Sequence, residues 1–382
     1  MNDGRIDVLL LRDMPEQGLR SMERFADELE EGFASHPAVA LRSTAVRESR
    51  LARLVGLGRV DGYWKRLVWY PLVARRQRAE VYHIADQGYA HVAMSLSPKR
   101  TVISCHDLML LRAAEGAAGF RPSRLALARF CWSVSFLRRA ARVVCPTEAT
   151  KRDVERLVGV PADRIEVVPY GVHPRFRPLP ERERAELRAS LPGVRRYAVL
   201  HVSTGRPYKN VAGTLRVVAA LRRSGVDVTL VRAGASMDAG ESALARSLGL
   251  DGAVIECGQV SDERLVELYN ACDALLFPSF AEGLGWPPLE AMACGTPVVA
   301  SNCDALVEAL GDAALMAAPD DVDSLAAALR VTLESPDVAR RMRALGLQRA
   351  ERFRWERAVE GFARVYGSVA EEARRVPQAV PA

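Results

Sequence analysis

At 382 residues the chain exceeds what one ordinary core supports and fits two domains of roughly 150–200 residues. With 49% hydrophobic and 26% charged residues, and Gly and Pro spread throughout, the composition excludes a disordered or fibrous protein. The net charge of +6 divides into +9 over residues 1–180 and −3 over residues 181–382, so the basic surplus belongs to the first half.

The opening MNDGRIDVLLLRDMP has acidic residues among its first seven positions and an apolar run that ends in charge, which does not fit a signal peptide. No stretch of about 18 apolar residues follows, so no membrane-spanning helix is expected. In chain order, IDVLLLR, EVYHI, RTVISC, ARVVCP and RIEVVP have the length and β-branched content of buried parallel strands. Between them SMERFADELEEGF and TEATKRDVERLVG have helical periodicity. Two further segments, YWKRLVWYPLVARRQR (63–78) and RPSRLALARFCWSVSFLRRAAR (121–142), interleave Arg and Lys with Trp, Tyr and Phe. Such a segment can be an amphipathic helix with its aromatics in the core and its arginines solvated, or it can rest on an anionic membrane surface. No nucleic-acid recognition motif accompanies the charge.

YGVHPRFRPLPERER (170–184) is a natural connection. Beyond it YAVLHVS, DVTLVRAG, AVIECG, DALLFPS and TPVVAS repeat the alternation of strand and helix, and the chain closes with the helical FRWERAVEGFARVYGSVAEEARR. The expected architecture is α/β with two Rossmann-like, doubly wound domains, 1–178 and 190–355, and a helix over 356–376 packing back on the first. The seven cysteines are odd in number and form no CxxC pair, which predicts buried reduced thiols and a cytoplasmic location.

Residues 280–301 read FAEGLGWPPLEAMACGTPVVAS. DALLFPS is the preceding strand, FAEGLGW the loop at its carboxyl end, and PPLEAMAC a helix with Pro287 and Pro288 in its first turn and Gly295 at its end. Glu282 falls in the loop and Glu290 about one turn into the helix, so two carboxylates border one pocket. The two prolines lack N–H groups, which leaves Gly283, Leu284, Gly285 and Trp286 as backbone donors. Acceptors beside donors suit a polyhydroxylated ligand; a tight turn before a capped helix is the structural alternative. In YAVLHVSTGRPYKNVAGTL the strand ends near Ser203 and Asn210 caps the next helix. The loop between them, with Gly205, Arg206 and Lys209, has the makings of a diphosphate site, or of a turn with two solvated cations. Neither a Walker pattern nor a GxGxxG fingerprint is present.

Together these stretches resemble the retaining, nucleotide-sugar-dependent glycosyltransferases of family 4, whose GT-B fold sets two Rossmann-like domains facing each other across a cleft. FAEGLGWPPLEAMACGTPVV is similar to that family's Glu-x7-Glu motif, STGRPYKN to its Arg/Lys-Lys-Asn loop, and GQVSDERLVELYNACDALLFPS to its base-binding region. In the first half VYHIADQGYAHVA, RTVISCHDL and VVPYGV match the same family. The resemblance implies that Glu282 holds donor-sugar hydroxyls and Glu290 the ribose hydroxyls. The N–H groups of Gly283 to Trp286 would hold sugar and phosphate oxygens, Lys209 would neutralise the diphosphate with Arg206 beside it, and Val260 would lie against the base. His106 directly follows the strand TVISC, and the resemblance places it near the donor sugar. Where the family often has two adjacent glycines near the phosphates, this chain offers only Gly18.

The implied reaction moves a hexose, with a lean to mannose, from a GDP- or UDP-sugar to an acceptor hydroxyl. Saccharide, lipid-linked and small-molecule acceptors all fit, and the basic first domain could touch a membrane. No cofactor is required. Leaving-group charge can be met by Lys209, Arg206 and a helix N-terminus, and no Asp-x-Asp pair in a suitable loop or His/Cys cluster offers a metal site, so transfer is expected to be metal-independent. A sugar-nucleotide epimerase or a phosphorylase on the same fold, and a non-catalytic nucleotide-sugar-binding member, are the alternatives.

Overall fold

The computed structural model describes residues 4–15, 20–47, 62–117 and 119–375, which leaves Gly18 outside the described residues. Two compact units emerge, one of Met1–Leu111, Pro122–Gly171 and Trp355–Ala382, the other of Arg112–Arg121 and Val172–Arg354.

In the first unit β1 (Ile6–Leu11), β2 (Val39–Thr44), β3 (Val81–Ile84), β4 (Thr101–Ser104), β5 (Arg142–Cys145) and β6 (Ile165–Val167) form one sheet in the order β2-β1-β3-β4-β5-β6. All its pairs are parallel. The central strands are buried on both faces, which is why Val8–Leu11 of β1 is a continuous apolar run, while the buried ends of β4 are the small polar Thr101 and Ser104. β2 escapes sequence reading because VALRST is an edge strand that buries only Val39. Helix α1 (Arg20–Phe33) follows β1. A π turn over Lys65–Trp69 leads into α2 (Tyr70–Arg76), and α3 (Arg124–Val134) carries the second basic segment.

The expectation that these basic helices bury their aromatics fails in part. Tyr70 is fully buried, yet Trp64 and Trp132 are 52% and 44% exposed. The π turn adds a residue to the helical turn and rotates the side chains before it away from the face that carries Tyr70.

In the second unit β7 (Tyr197–Ser203), β8 (Val228–Gly234), β9 (Val254–Glu256), β10 (Ala274–Phe277), β11 (Val298–Ser301) and β12 (Ala314–Ala317) give a parallel sheet in the order β12-β11-β10-β7-β8-β9. β12 is another edge strand, half-buried along its length, and was not legible as a strand. Helices α4 (Val211–Arg223), α5 (Asp262–Ala271) and α6 (Trp286–Ala293) matter for the site. The core of this unit joins Val199, Leu230, Leu276 and Val299 of the strands to Leu215 and Val218 of α4.

The chain's last helix, α7 (Trp355–Arg375), belongs to the first unit. Its buried positions Trp355, Val359, Phe362, Tyr366 and Val369 recur at helical spacing. Gly32 of α1 leaves room for Val359, and the Phe362 ring lies 5.8 Å from Phe25. The Tyr366 hydroxyl is 2.7 Å from Nδ1 of buried His83, whose Nε2 is 2.9 Å from Ser104 Oγ.

All seven cysteines are free, but the expectation that all are buried needs correction: Cys131 is exposed on α3, and Cys257 and Cys303 are half-buried. Among the described residues no helix is long and apolar enough to cross a membrane.

Candidate active site

In the second unit the loop after β7 is shaped by backbone rather than side chains. Gly205 has φ +71°, and its N–H donates to Ser203 Oγ at 3.1 Å, which gives Ser203 a role at the strand end. The strand ends of β7, β8 and β9 are stitched together by Ala235 N–H to Ser203 O at 2.9 Å and Gly234 N–H to Gly258 O at 2.8 Å. A short turn, Pro207–Lys209, then brings Asn210 into the left-handed region at φ +54°. Asn210 caps α4 by accepting from Gly213 N–H at 3.0 Å, as its residue type predicts, and its amide donates to the carbonyls of Pro278 (3.0 Å) and Pro319 (2.7 Å). With Phe280 N–H on Tyr208 O at 2.8 Å, the loop after β7 is bound to the loop after β10.

That binding sets the chemistry. Lys209 turns inward under the ring of Phe277, with Nζ 4.9 Å from its centroid, and reaches Glu282 Oε1 at 2.7 Å. Both side chains are close to buried, 11% and 8% exposed. Arg206, three residues earlier, is exposed. The expected pair of cations thus divides into one buried, carboxylate-held ammonium and one solvated guanidinium.

Glu282 leads to Gly285, which stands at φ +87° as N-cap of α6 and has no side chain to satisfy the helix start. A Cβ there would run into Leu306 Cδ2. Pro287 and Pro288 occupy the first turn, and Gly295 closes the far end at φ +74°. Glu290 is 2% exposed and accepts a hydrogen bond at 2.9 Å from the hydroxyl of Tyr269, a buried residue of α5. Tyr269 is held in turn by Thr296 Oγ1, which donates to its carbonyl at 2.6 Å. Sequence reasoning missed Tyr269; the signal was a phenol on the buried face of α5, whose hydroxyl must find a partner. Val260 is half-buried between β9 and the Ser261 cap of α5.

His106 lies in the first unit, two residues beyond the end of β4. Its Nε2 is 2.7 Å from the carbonyl of Ala85, so Nε2 carries the proton and donates. Phe25 and Tyr170 pack edge-on against the ring at 4.8 and 5.3 Å, and burial lowers its pKa, so the imidazole is neutral. His83, His91 and His201 are also buried, and burial depresses their pKa values to about 3, about 4 and about 4.

Also in the first unit, a pocket of about 440 Å³ opens where β1 and β2 end, lined by Arg12, Asp13, Glu23, Asp27, Thr44 and Arg47. Arg12 is anchored by Asp27 and by Glu30 Oε1 at 2.6 Å. Both carboxyl oxygens of Asp13 are buried and find no hydrogen-bond partner among the described residues. Burial first, then neighbouring Asp86, raises its pKa well above the ordinary carboxylate range. Asp13 was also missed, although a carboxylate two residues beyond the apolar run of a parallel strand stands at the end where such sheets bind ligands.

A family model described as Glycosyltransferase Family 4 matches residues 23–176, and one described as Glycosyl transferases group 1 matches residues 183–349. The chain belongs to the family 4 glycosyltransferases. The chain is 33% identical over 229 residues to O-antigen chain mannosyltransferase B of Escherichia coli, covering 58% of each chain. To the D-inositol 3-phosphate glycosyltransferase of Salinispora tropica it is 34% identical over 291 residues, 72% of this chain and 60% of that one. It therefore spans about three fifths of the length of these curated relatives. Among solved structures it superposes on Anabaena Alr3699/HepE in complex with UDP with a TM-score of 0.74 at 18% identity, over 95% of this chain and 100% of the other. The fold is GT-B.

Proposed function

We propose that this glycosyltransferase moves a hexose from a GDP- or UDP-sugar to an acceptor hydroxyl with retention and without a metal. The observation that carries the reading is the buried Lys209–Glu282 pair beside the start of α6, whose N-cap has no side chain. Breaking the anomeric C–O bond puts negative charge on the departing diphosphate. The Lys209 ammonium, held in place by Glu282, and the positive end of α6 meet that charge without reorganising, and Arg206 adds a mobile cation. That arrangement supplies what a divalent ion would otherwise supply.

Glu282 then serves both as the anchor of Lys209 and as the acceptor for donor-sugar hydroxyls. Glu290, oriented by Tyr269, takes the ribose hydroxyls, and Val260 lies against the base. The N–H groups of Gly283 to Trp286 face sugar and phosphate oxygens. With the proton of His106 committed to Ala85 at Nε2, Nδ1 is the ring atom that can accept from a sugar hydroxyl. The acceptor attacks on the leaving-group face and its proton passes to the departing phosphate oxygen, so neither glutamate is the nucleophile. The pocket floored by Asp13 suits a hydroxyl-rich acceptor, a saccharide or the glycan head of a lipid-linked precursor. Mannose is favoured as the transferred sugar by the mannosyltransferase relative, and reduced cysteines favour the cytoplasm.

A thermal-shift panel of GDP-mannose, UDP-glucose, ADP-glucose and dTDP-glucose, with and without EDTA, tests the donor half. A donor at a hundred times its dissociation constant adds about 2.7 kcal/mol of apparent stability. Stabilisation by a GDP- or UDP-sugar that EDTA leaves intact, followed by acceptor-dependent nucleotide release, is expected. Stabilisation abolished by EDTA would overturn the metal-independent reading, and conversion of the donor into a second nucleotide sugar with no acceptor present would favour an epimerase.

A further inference from the structure

The two basic segments fold in an unusual way. A surface helix normally turns its apolar stripe to the core and its polar side to water. Helical residues 62–76 do the reverse over their first turns: Tyr63, Trp64, Leu67 and Leu72 are all more than 40% exposed. On α3 the outward side chains Leu125 and Trp132 are 69% and 44% exposed. They stand at i and i+7 with Arg129 between them, on one side of the helix.

Contacts make these one surface. The Arg129 guanidinium sits 4.5 Å from the centroid of Tyr63, and the rings of Trp64 and Trp69 stack at 6.0 Å. Between the helices, His91 packs against Trp132 at 5.3 Å, and its Nε2 lies 2.9 Å from the carbonyl of Arg66. Met94 of the same intervening segment is exposed as well. Outside this face, the exposed large apolar side chains of the described residues are only Val307 and Val331, both in the second unit. An apolar concentration of this kind marks a binding surface.

Charge says what covers it. Residues 62–79 and 119–147 contain no Asp or Glu. The same stretches carry the exposed Arg75, Arg76, Arg124 and Arg139, and Arg76 lies over the Trp69 ring at 5.8 Å. Exposed aromatic side chains with arginines beside them and no acidic residue in either stretch complement the headgroup region of an anionic bilayer, where Trp and Tyr settle at the interface and arginines meet phosphates. We propose that this face of the first unit docks the protein on an anionic phospholipid surface. The helix adjoins the pocket of the same unit, since Lys65 Nζ donates to the carbonyl of Arg47, a wall residue, at 3.1 Å. Docking would therefore bring that pocket to the headgroup layer.

The test uses the full chain in co-sedimentation with vesicles of phosphatidylcholine alone and with about a third phosphatidylglycerol. Binding is expected to the anionic vesicles only, and to weaken in about 0.5 M salt. Arg75→Glu with Arg76→Glu should cut it about tenfold or more, and Trp64→Ser with Leu67→Ser by a similar factor. These side chains are exposed, so melting temperature and nucleotide-sugar binding in the second unit should not move; should either double variant fail to fold, Leu125→Ser takes its place. Wild-type protein that stays in the supernatant, binds neutral and anionic vesicles alike, or is indifferent to these substitutions would overturn the proposal. So would a concentration-dependent dimer lost in Trp64→Ser with Leu67→Ser, which would assign the face to a second copy of the chain.

Discussion

Removing one member of the Lys209–Glu282 pair should cost far more than removing both. At 2.7 Å and an effective dielectric of about 20, the direct attraction is about 6 kcal/mol. With side-chain exposures of only 11% and 8%, desolvation of the two ions offsets much of that, so the pair adds little relative to apolar residues of similar size. Lys209→Met, however, leaves Glu282 almost buried without its cation, a loss of about 3–5 kcal/mol. Glu282→Leu strands the ammonium at a comparable cost, while Lys209→Met with Glu282→Leu should fall within about 1–2 kcal/mol of the parent. In a domain of 150–250 residues each single loss lowers the melting temperature by about 6–20 °C. Urea titration of the four proteins gives the coupling energy directly. If the two single losses add to the double within about 0.5 kcal/mol, the side chains do not share an ion pair in solution, and the account of how Lys209 is poised fails.

Other consequences can be measured on the same preparations. Tyr269→Phe removes the hydroxyl that orients Glu290 and should weaken nucleoside diphosphate binding by about 3–10-fold in calorimetry, with little change in fold; unchanged affinity would detach Glu290 from the nucleotide. Gly285→Ala forces a Cβ toward Leu306 at φ +87° and should cost about 1–3 kcal/mol of stability as well as donor affinity. Phe362→Ala, on the fully buried face of α7, should cost about 3–5 kcal/mol in the unfolding of the first unit, whereas a loss under about 1 kcal/mol would mean α7 is not docked there. His83, whose pKa is depressed from 6.5 to about 3, binds a proton more readily in the unfolded chain. Its contribution is therefore complete above about pH 7 and is lost as pH falls from 6.5 towards 3, about 2 kcal/mol of it by pH 5. Unfolding free energies at the two pH values, for the parent and His83→Gln, should differ in slope by that amount.

The alternation of short apolar runs with helical stretches made two doubly wound units legible, because a strand buried on both faces is mostly apolar and admits a polar residue only where it finds a partner, as His83 does in Ser104. Residues 280–301 were legible for a related reason. Gly285 at positive φ, prolines confined to a first helical turn and a closing Gly295 are local backbone requirements, met by residue type alone. Asn210 declared itself as a cap in the same way. Edge strands β2 and β12 did not, since one-sided burial leaves their patterns weak.

Pairing was decided elsewhere. Lys209 and Glu282 lie 73 positions apart, and no periodicity connects them; they meet because the Asn210 amide and the Tyr208 carbonyl tie one strand-end loop to another. Tyr269 and Glu290 meet across two helices for the same kind of reason. The direction in which Tyr63, Trp64 and Trp132 point was equally out of reach, because a π turn and the packing of neighbouring segments, not composition, set which side of a helix faces water. Residue types and local spacing determined the two folds and the chemistry on offer. Tertiary structure alone decided which charges are buried together, since loop-to-loop contact depends on strand order and not on distance along the chain.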